Sequence, residues 1–220
     1  MKKTRKGFTL VEIMITMAIM AIVSTVIFTI FFTNNKMLTK AELKSDLQRD
    51  GDEISEKFVQ YGSQSVCINS ISGGSLVPGG IDYGTSYNQS NTYISGLPKE
   101  SRGSDYHKVN KISLLVPKSG KDVIRGVSEC NRYTLILDGN KLGIDSNNND
   151  SISDNEVILS ENVEDVSIKL LGFKGPTGKL KDAKGISLKV KFKKEKGKNE
   201  VTYELTNDII FRNNQYKDTL

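Results

Sequence analysis

The hydrophobic pattern divides this 220-residue chain into three unlike stretches. From Phe8 the residues are apolar almost without interruption to Phe32, and Ile13 to Phe32 is a run of twenty residues free of charge. At about 1.5 Å per residue, a helix over Phe8–Phe32 spans about 38 Å, enough to cross a hydrocarbon core of about 30 Å. A secretory signal instead has an apolar core of about 7–15 residues followed by a small-residue cleavage site, and this run meets neither condition. The pattern predicts a transmembrane helix over residues 8–33.

Residues 34–62 are charged but periodic. Leu43, Leu47, Ile54, Phe58 and Tyr61 fall on one helical face, and Gly51 shares it. The helix is therefore expected to continue as an amphipathic half whose apolar stripe packs on a sheet. Gly51 would permit close packing or a bend, and Gly62 would stop the helix. Residues 63–110 turn to Ser, Gly, Asn and Tyr and lack the apolar mass for a core of their own. They predict an irregular connection holding one or two short strands. Its Tyr83, Tyr87, Tyr93 and Tyr106 either pack down as anchors or form an adhesive surface.

Over residues 111–220, short runs rich in Val, Ile, Leu and Tyr alternate with turn residues, the signature of strands. Ile186, Leu188, Val190 and Phe192 share one face with Lys189 and Lys191 opposite, and EKGKN reads as a hairpin turn into VTYEL. The fold class is α+β: a long N-terminal helix packed on an antiparallel sheet with one buried and one wet face.

Charge narrows the function classes. The formal net charge is +5, but Lys2, Lys3, Arg5 and Lys6 ahead of the apolar run carry four of the 31 basic side chains. Without them 27 basic groups face 26 acidic ones, and no basic aromatic platform accompanies the remaining lysines, so nucleic acid is not an expected partner. The same cluster places the N-terminus in the cytoplasm and everything after Phe32 outside. Glu12 then stands out, because a carboxylate in a membrane segment costs roughly 2.5–3.5 kcal/mol near the span centre. A free amine created by a cut before Phe8 would offset it.

The stretch Lys6-Gly7-Phe8-Thr9-Leu10-Val11-Glu12 resembles the cleavage and methylation motif of type IV prepilins and type II secretion pseudopilins. The resemblance covers about thirty N-terminal residues. It implies a leader, residues 1–7, removed by a prepilin peptidase between Gly7 and Phe8, with N-methylation of Phe8. It implies that Glu12 is the family's assembly glutamate. The partners implied are other pilin subunits along the N-terminal helix, the peptidase, and the cytoplasmic membrane before export into an extracellular pilus. The head over residues 111–220 would be the pilin sheet.

In the C-terminal half, LSENVEDVSIKLLGF, GISLKVKFK and a closing strand ending Ile209-Ile210-Phe211-Arg212-Asn213 resemble minor pilins of the PilW kind and pseudopilins of the GspJ kind. That implies a low-abundance structural subunit that enters or primes a filament. No Pro or Gly interrupts residues 8–50, which fits a straight helix in a tip or priming subunit. A secretion or competence pseudopilin and a tip-displayed adhesin remain as alternatives.

Two constellations could carry chemistry. Asp145, Asn147, Asn149, Ser151, Ser153 and Glu156 have the spacing of a twelve-residue calcium loop, although Asp150 stands where the sharp turn wants Gly and the flanks read as strands. An Asx-rich turn between strands explains the same residues. Cys67 and Cys130 are the only cysteines and lie in the exported part, where an even pair favours a disulfide and buried thiols are the alternative. His107 is the sole histidine, and no nucleophile motif or phosphate-cradling loop occurs, so the chain is not expected to be an enzyme. Calcium aside, no cofactor is expected.

Overall fold

A computed structural model describes residues 7–72, 106–118, 129–145, 147, 149, 151–152, 156–172 and 183–213. One helix, α1, runs unbroken over Leu10–Gln64 for 55 residues. Nine strands follow among the described residues: β1 Cys67–Ser72, β2 His107–Lys108, β3 Lys111–Pro117, β4 Cys130–Asp138, β5 Lys141–Asp145, β6 Val157–Ser160, β7 Val163–Leu171, β8 Gly185–Lys196 and β9 Asn199–Ile210.

The strands form two antiparallel sheets where the sequence pattern suggested one. The first has the order β1-β3-β4-β5-β6 and the second β2-β7-β8-β9. Part of the reason lies in β3, KISLLVP, which is buried along its length on both faces. A strand covered on both sides belongs to the interior and shows no alternation for a one-sided sheet to leave in the sequence. β9 is the opposite case. Its Val201, Tyr203, Leu205 and Ile209 turn toward the core while Thr202, Glu204, Thr206 and Asp208 are exposed. The expected β8–β9 hairpin is present, its turn at Gly197–Lys198 and its register running from Lys196↔Asn199 to Gly185↔Ile210.

The second half of α1 joins both sheets into one core. Leu47, Ile54 and Phe58 from the helix meet Ile68, Ile112 and Leu114 from the first sheet and Ile186, Leu188, Val190 and Phe192 from the second. The predicted stripe is thus the buried one, with Tyr61 half-buried and stacked on Tyr133 at 4.1 Å between ring centroids. Gly51 serves close packing: a Cβ there would stand 3.0 Å from Tyr203 Cε1. Gly62 does not stop the helix. A Cβ on Gly62 would come within 2.8 Å of Ile209 Cδ1, so β9 presses against the helix at that point. The helix ends two residues later, where the Ser65 N–H donates to the Gly62 carbonyl at 3.1 Å and the Ser65 hydroxyl to the Tyr61 carbonyl at 2.8 Å.

Polar ties run along the same seam. The Asp50 carboxylate accepts from Ser160 Oγ at 2.8 Å and from Asn162 Nδ2 at 3.1 Å. Asn162 belongs to the LSENVEDV stretch, so that stretch includes a link between helix and head. Asp46 pairs with Lys194 at 2.8 Å, and Asn207 Nδ2 donates to Ser55 Oγ at 2.6 Å. β1 lies inside residues 63–110 and pairs with β3, so the first sheet begins in the stretch read as a connection.

Candidate functional site

The N-terminal end of the helix is the candidate site. Gly7, Phe8 and Thr9 precede α1 in non-helical backbone, and all three are exposed, Phe8 to 84%. Thr9 is the cap, extended at φ −78° and ψ 151°. The Gly7–Phe8 bond therefore lies on accessible chain just ahead of a rigid helix. A Cβ on Gly7 would meet nothing within 4 Å, so no packing within the described fold calls for glycine there.

Glu12 sits at the third helical position and closes a capping box with Thr9. Its Oε2 accepts from the Thr9 N–H at 2.8 Å and from the Thr9 hydroxyl at 3.0 Å, while Thr9 Oγ1 accepts from the Glu12 N–H at 3.3 Å. The capping role was missed in reading the sequence, although Thr9-Leu10-Val11-Glu12 has the S/T-x-x-E spacing that signals it. The carboxylate is thus held beside the N-terminal end of the helix, where the helix dipole favours negative charge.

Beyond Glu12 the helix projects from the head with its apolar side chains bare. Among others, Met17, Met20, Ile22, Phe28 and Phe32 are exposed, as are Met37 and Leu38 farther along. α1 is the one described helix long and apolar enough to cross a membrane, and no part of its most apolar window is buried. Three hydroxyls in this half return to their own helix: Thr16 Oγ1 donates to the Ile13 carbonyl, Thr25 to Ala21 and Thr29 to Thr25, at 2.8–2.9 Å. Such back-bonding satisfies hydroxyls that lipid could not.

The remaining candidate residues do not converge on this site. Asp145, at the end of β5, and Glu156, just before β6, are buried. Asn147 Oδ1 accepts from the Asn149 N–H at 2.8 Å, Asn149 Oδ1 from the Ser151 N–H at 3.0 Å, and Glu156 Oε1 from the Asn147 N–H at 3.4 Å. The two amide contacts are consecutive Asx turns, the form expected of an Asx-rich turn between strands. No group of three His, Cys, Asp or Glu side chains gathers among the described residues, and Ser153 lies outside them.

Cys67 and Cys130 share a small buried cluster with Val66 and Leu115, but no bridge joins them. Cys67 pairs with Leu115 and Cys130 with Pro117, so β3 runs between them. Two strand spacings of about 4.8 Å exceed the Cα separation of about 4.4–6.8 Å that a disulfide spans. Burial pushes the Cys130 thiol up in pKa, with Glu129 adding to the shift and Lys118 opposing it.

Of the four tyrosines, Tyr83, Tyr87 and Tyr93 lie outside the described residues. Tyr106 is an anchor: its hydroxyl shares a 2.6 Å hydrogen bond with the buried Ser187 hydroxyl, and Lys189 Nζ lies 5.6 Å from its ring centroid.

Exposed backbone at Gly7–Phe8, a capped helix with a carboxylate in its first turn and an apolar helix projecting from an α+β head define a membrane-anchored, single-span class of protein. Residues 2–28 match the model of the prokaryotic N-terminal methylation motif. The match supports a type IV pilin-like protein, a structural rather than catalytic class, and implies processing by a prepilin peptidase. No curated protein and no solved structure matches the chain.

Proposed function

We propose that the chain is a minor type IV pilin-like subunit, of the PilW and GspJ kind, that enters or primes an extracellular filament. The observation that carries this reading is the division of α1: its second half is bonded into the head, and its first half is bare apolar surface ending at Glu12. Cleavage after Gly7 frees an amine on Phe8, four residues from Glu12, and N-methylation leaves that amine cationic. In the uncut chain Thr9 holds Glu12 through Oε2, which leaves Oε1 to accept from the new amine, of the same subunit or of a neighbour. In a low-dielectric helical bundle neither charge can stay unpaired without large cost, so the pair sets axial register. The helix half over residues 13–32 then exchanges lipid for the filament core.

Glu12→Val tests the pairing. The variant removes the buried charge, so it is expected to insert and be cleaved normally while failing to enter filaments. Normal incorporation would contradict the pairing account. Counting copies per filament by quantitative mass spectrometry separates a minor subunit, present a few times, from a major one.

A further inference from the structure

The β8–β9 hairpin lies along α1 in a direction that carries its turn back toward the membrane-spanning half. Lys194 Nζ meets Asp46 at 2.8 Å, and Lys196 Nζ meets Glu42, one helical turn nearer the span, at 3.5 Å. The turn residues Gly197 and Lys198 continue in that direction and are exposed. Glu42 lies ten residues beyond Phe32, about 15 Å along the helix. The turn therefore stands roughly 10 Å above the end of the apolar run, by the rise of helix and strand. Lys36 and Lys40 occupy the intervening helix, Lys44 follows just past Glu42, and all three are exposed.

This end of the head is unlike the rest in charge. Residues 36–46 and 193–200 together hold seven lysines against four carboxylates, in a chain that is otherwise near balance. The carboxylates are spoken for: Asp46 and Glu42 by the hairpin, and Glu195 and Glu200 by Lys193 at 2.9 and 3.3 Å. Lys36, Lys40, Lys44 and Lys198 have no ion pair among the described residues. Lys36, about 6 Å beyond Phe32, falls within a headgroup layer, and Lys40 and Lys198 fall within about a Debye length of it.

The geometry points to a second membrane contact: the basic turn at Gly197–Lys198, with Lys36 and Lys40, docks on anionic lipid headgroups of the leaflet from which α1 emerges. This rests on the reading of residues 13–32 as a membrane span. The packing of the hairpin on α1, where Tyr203 closes on Gly51, fixes the height of the turn, so the contact belongs to the whole head and would hold the subunit upright before extraction. Net basic clusters beside a span are attracted to such leaflets, and the attraction is screened by salt.

Hydrogen exchange of the full chain in nanodiscs tests it, comparing phosphatidylglycerol with phosphatidylcholine at equal protein per disc. The expected result is exchange at the Gly197 and Lys198 amides slowed roughly tenfold in phosphatidylglycerol alone. The difference should vanish at high salt and in the triple variant Lys36→Glu, Lys40→Glu, Lys198→Glu, whose β7 and β8 amides should stay as protected as before. Protection of residues 13–32 in both lipids reports the span separately. If the span is protected and the turn exchanges equally in both lipids, the docking inference is overturned and the span stands. If the span exchanges freely, both fail. Turn protection that follows protein per disc and not lipid charge would mean a second copy covers the turn, which also overturns it.

Discussion

The two halves of α1 share one continuous backbone and opposite surroundings. From Leu43 to Gly62 every third or fourth residue is buried against two sheets. From Leu10 to Leu38 none is, though the residues there are more apolar. Burial of a large apolar side chain is worth about 1.5–3 kcal/mol, so the bare half forgoes in water what the packed half gains. The first half is therefore built for an apolar solvent such as lipid, and the second half fixes what that solvent must carry.

Substitutions in the two halves should separate cleanly. Phe58→Ala removes a fully buried ring and is expected to destabilise the head by about 3–5 kcal/mol, read by denaturant unfolding of the full chain in detergent. Gly62→Leu forces Ile209 aside and should cost about 1–3 kcal/mol in the same measurement. Ile22→Ala with Ile27→Ala, in the bare half, should leave head stability within about 0.5 kcal/mol. A large loss there would show that the two halves are not independent.

The smallest effect is expected in pH dependence. The Lys194 hydrogen bond and charge hold the Asp46 carboxyl below the ordinary carboxylate range, and Lys191 does the same for Glu164. Carboxyls lowered in the folded state stabilise it above their unfolded pKa and lose that contribution as pH falls through the folded value. Thermal midpoints should therefore be level above about pH 5 and decline below about pH 4. Both groups are exposed, so the decline assigned to either should be slight, and Asp46→Asn should remove only its own part.

How much was legible in the sequence follows from the same contrast. A long uncharged run and a stripe at helical spacing are local patterns, and both halves of α1 were readable from them. The β8–β9 hairpin was equally plain because Ile186, Leu188, Val190 and Phe192 alternate with lysines. The division into two sheets was not legible, since the buried KISLLVP has no face to show and β1 lies in a Ser-rich stretch. Gly62 misled because a glycine near a helix end has two physical uses, stop and close approach, and Ile209, nearly 150 residues away, decides between them. The Asx-rich loop has two readings for a related reason: amide oxygens at calcium spacing equally serve their own backbone. At the N-terminal site Glu12 was found by its cost in a membrane, whereas its partner Thr9 was overlooked.

Intact-mass and N-terminal peptide spectrometry of the chain from its native membranes tests the central claim most directly. The account predicts a chain beginning at Phe8, lacking residues 1–7 and carrying one methyl group on its terminal amine. A chain that keeps residues 1–7, or one cut beyond Phe32, would contradict it.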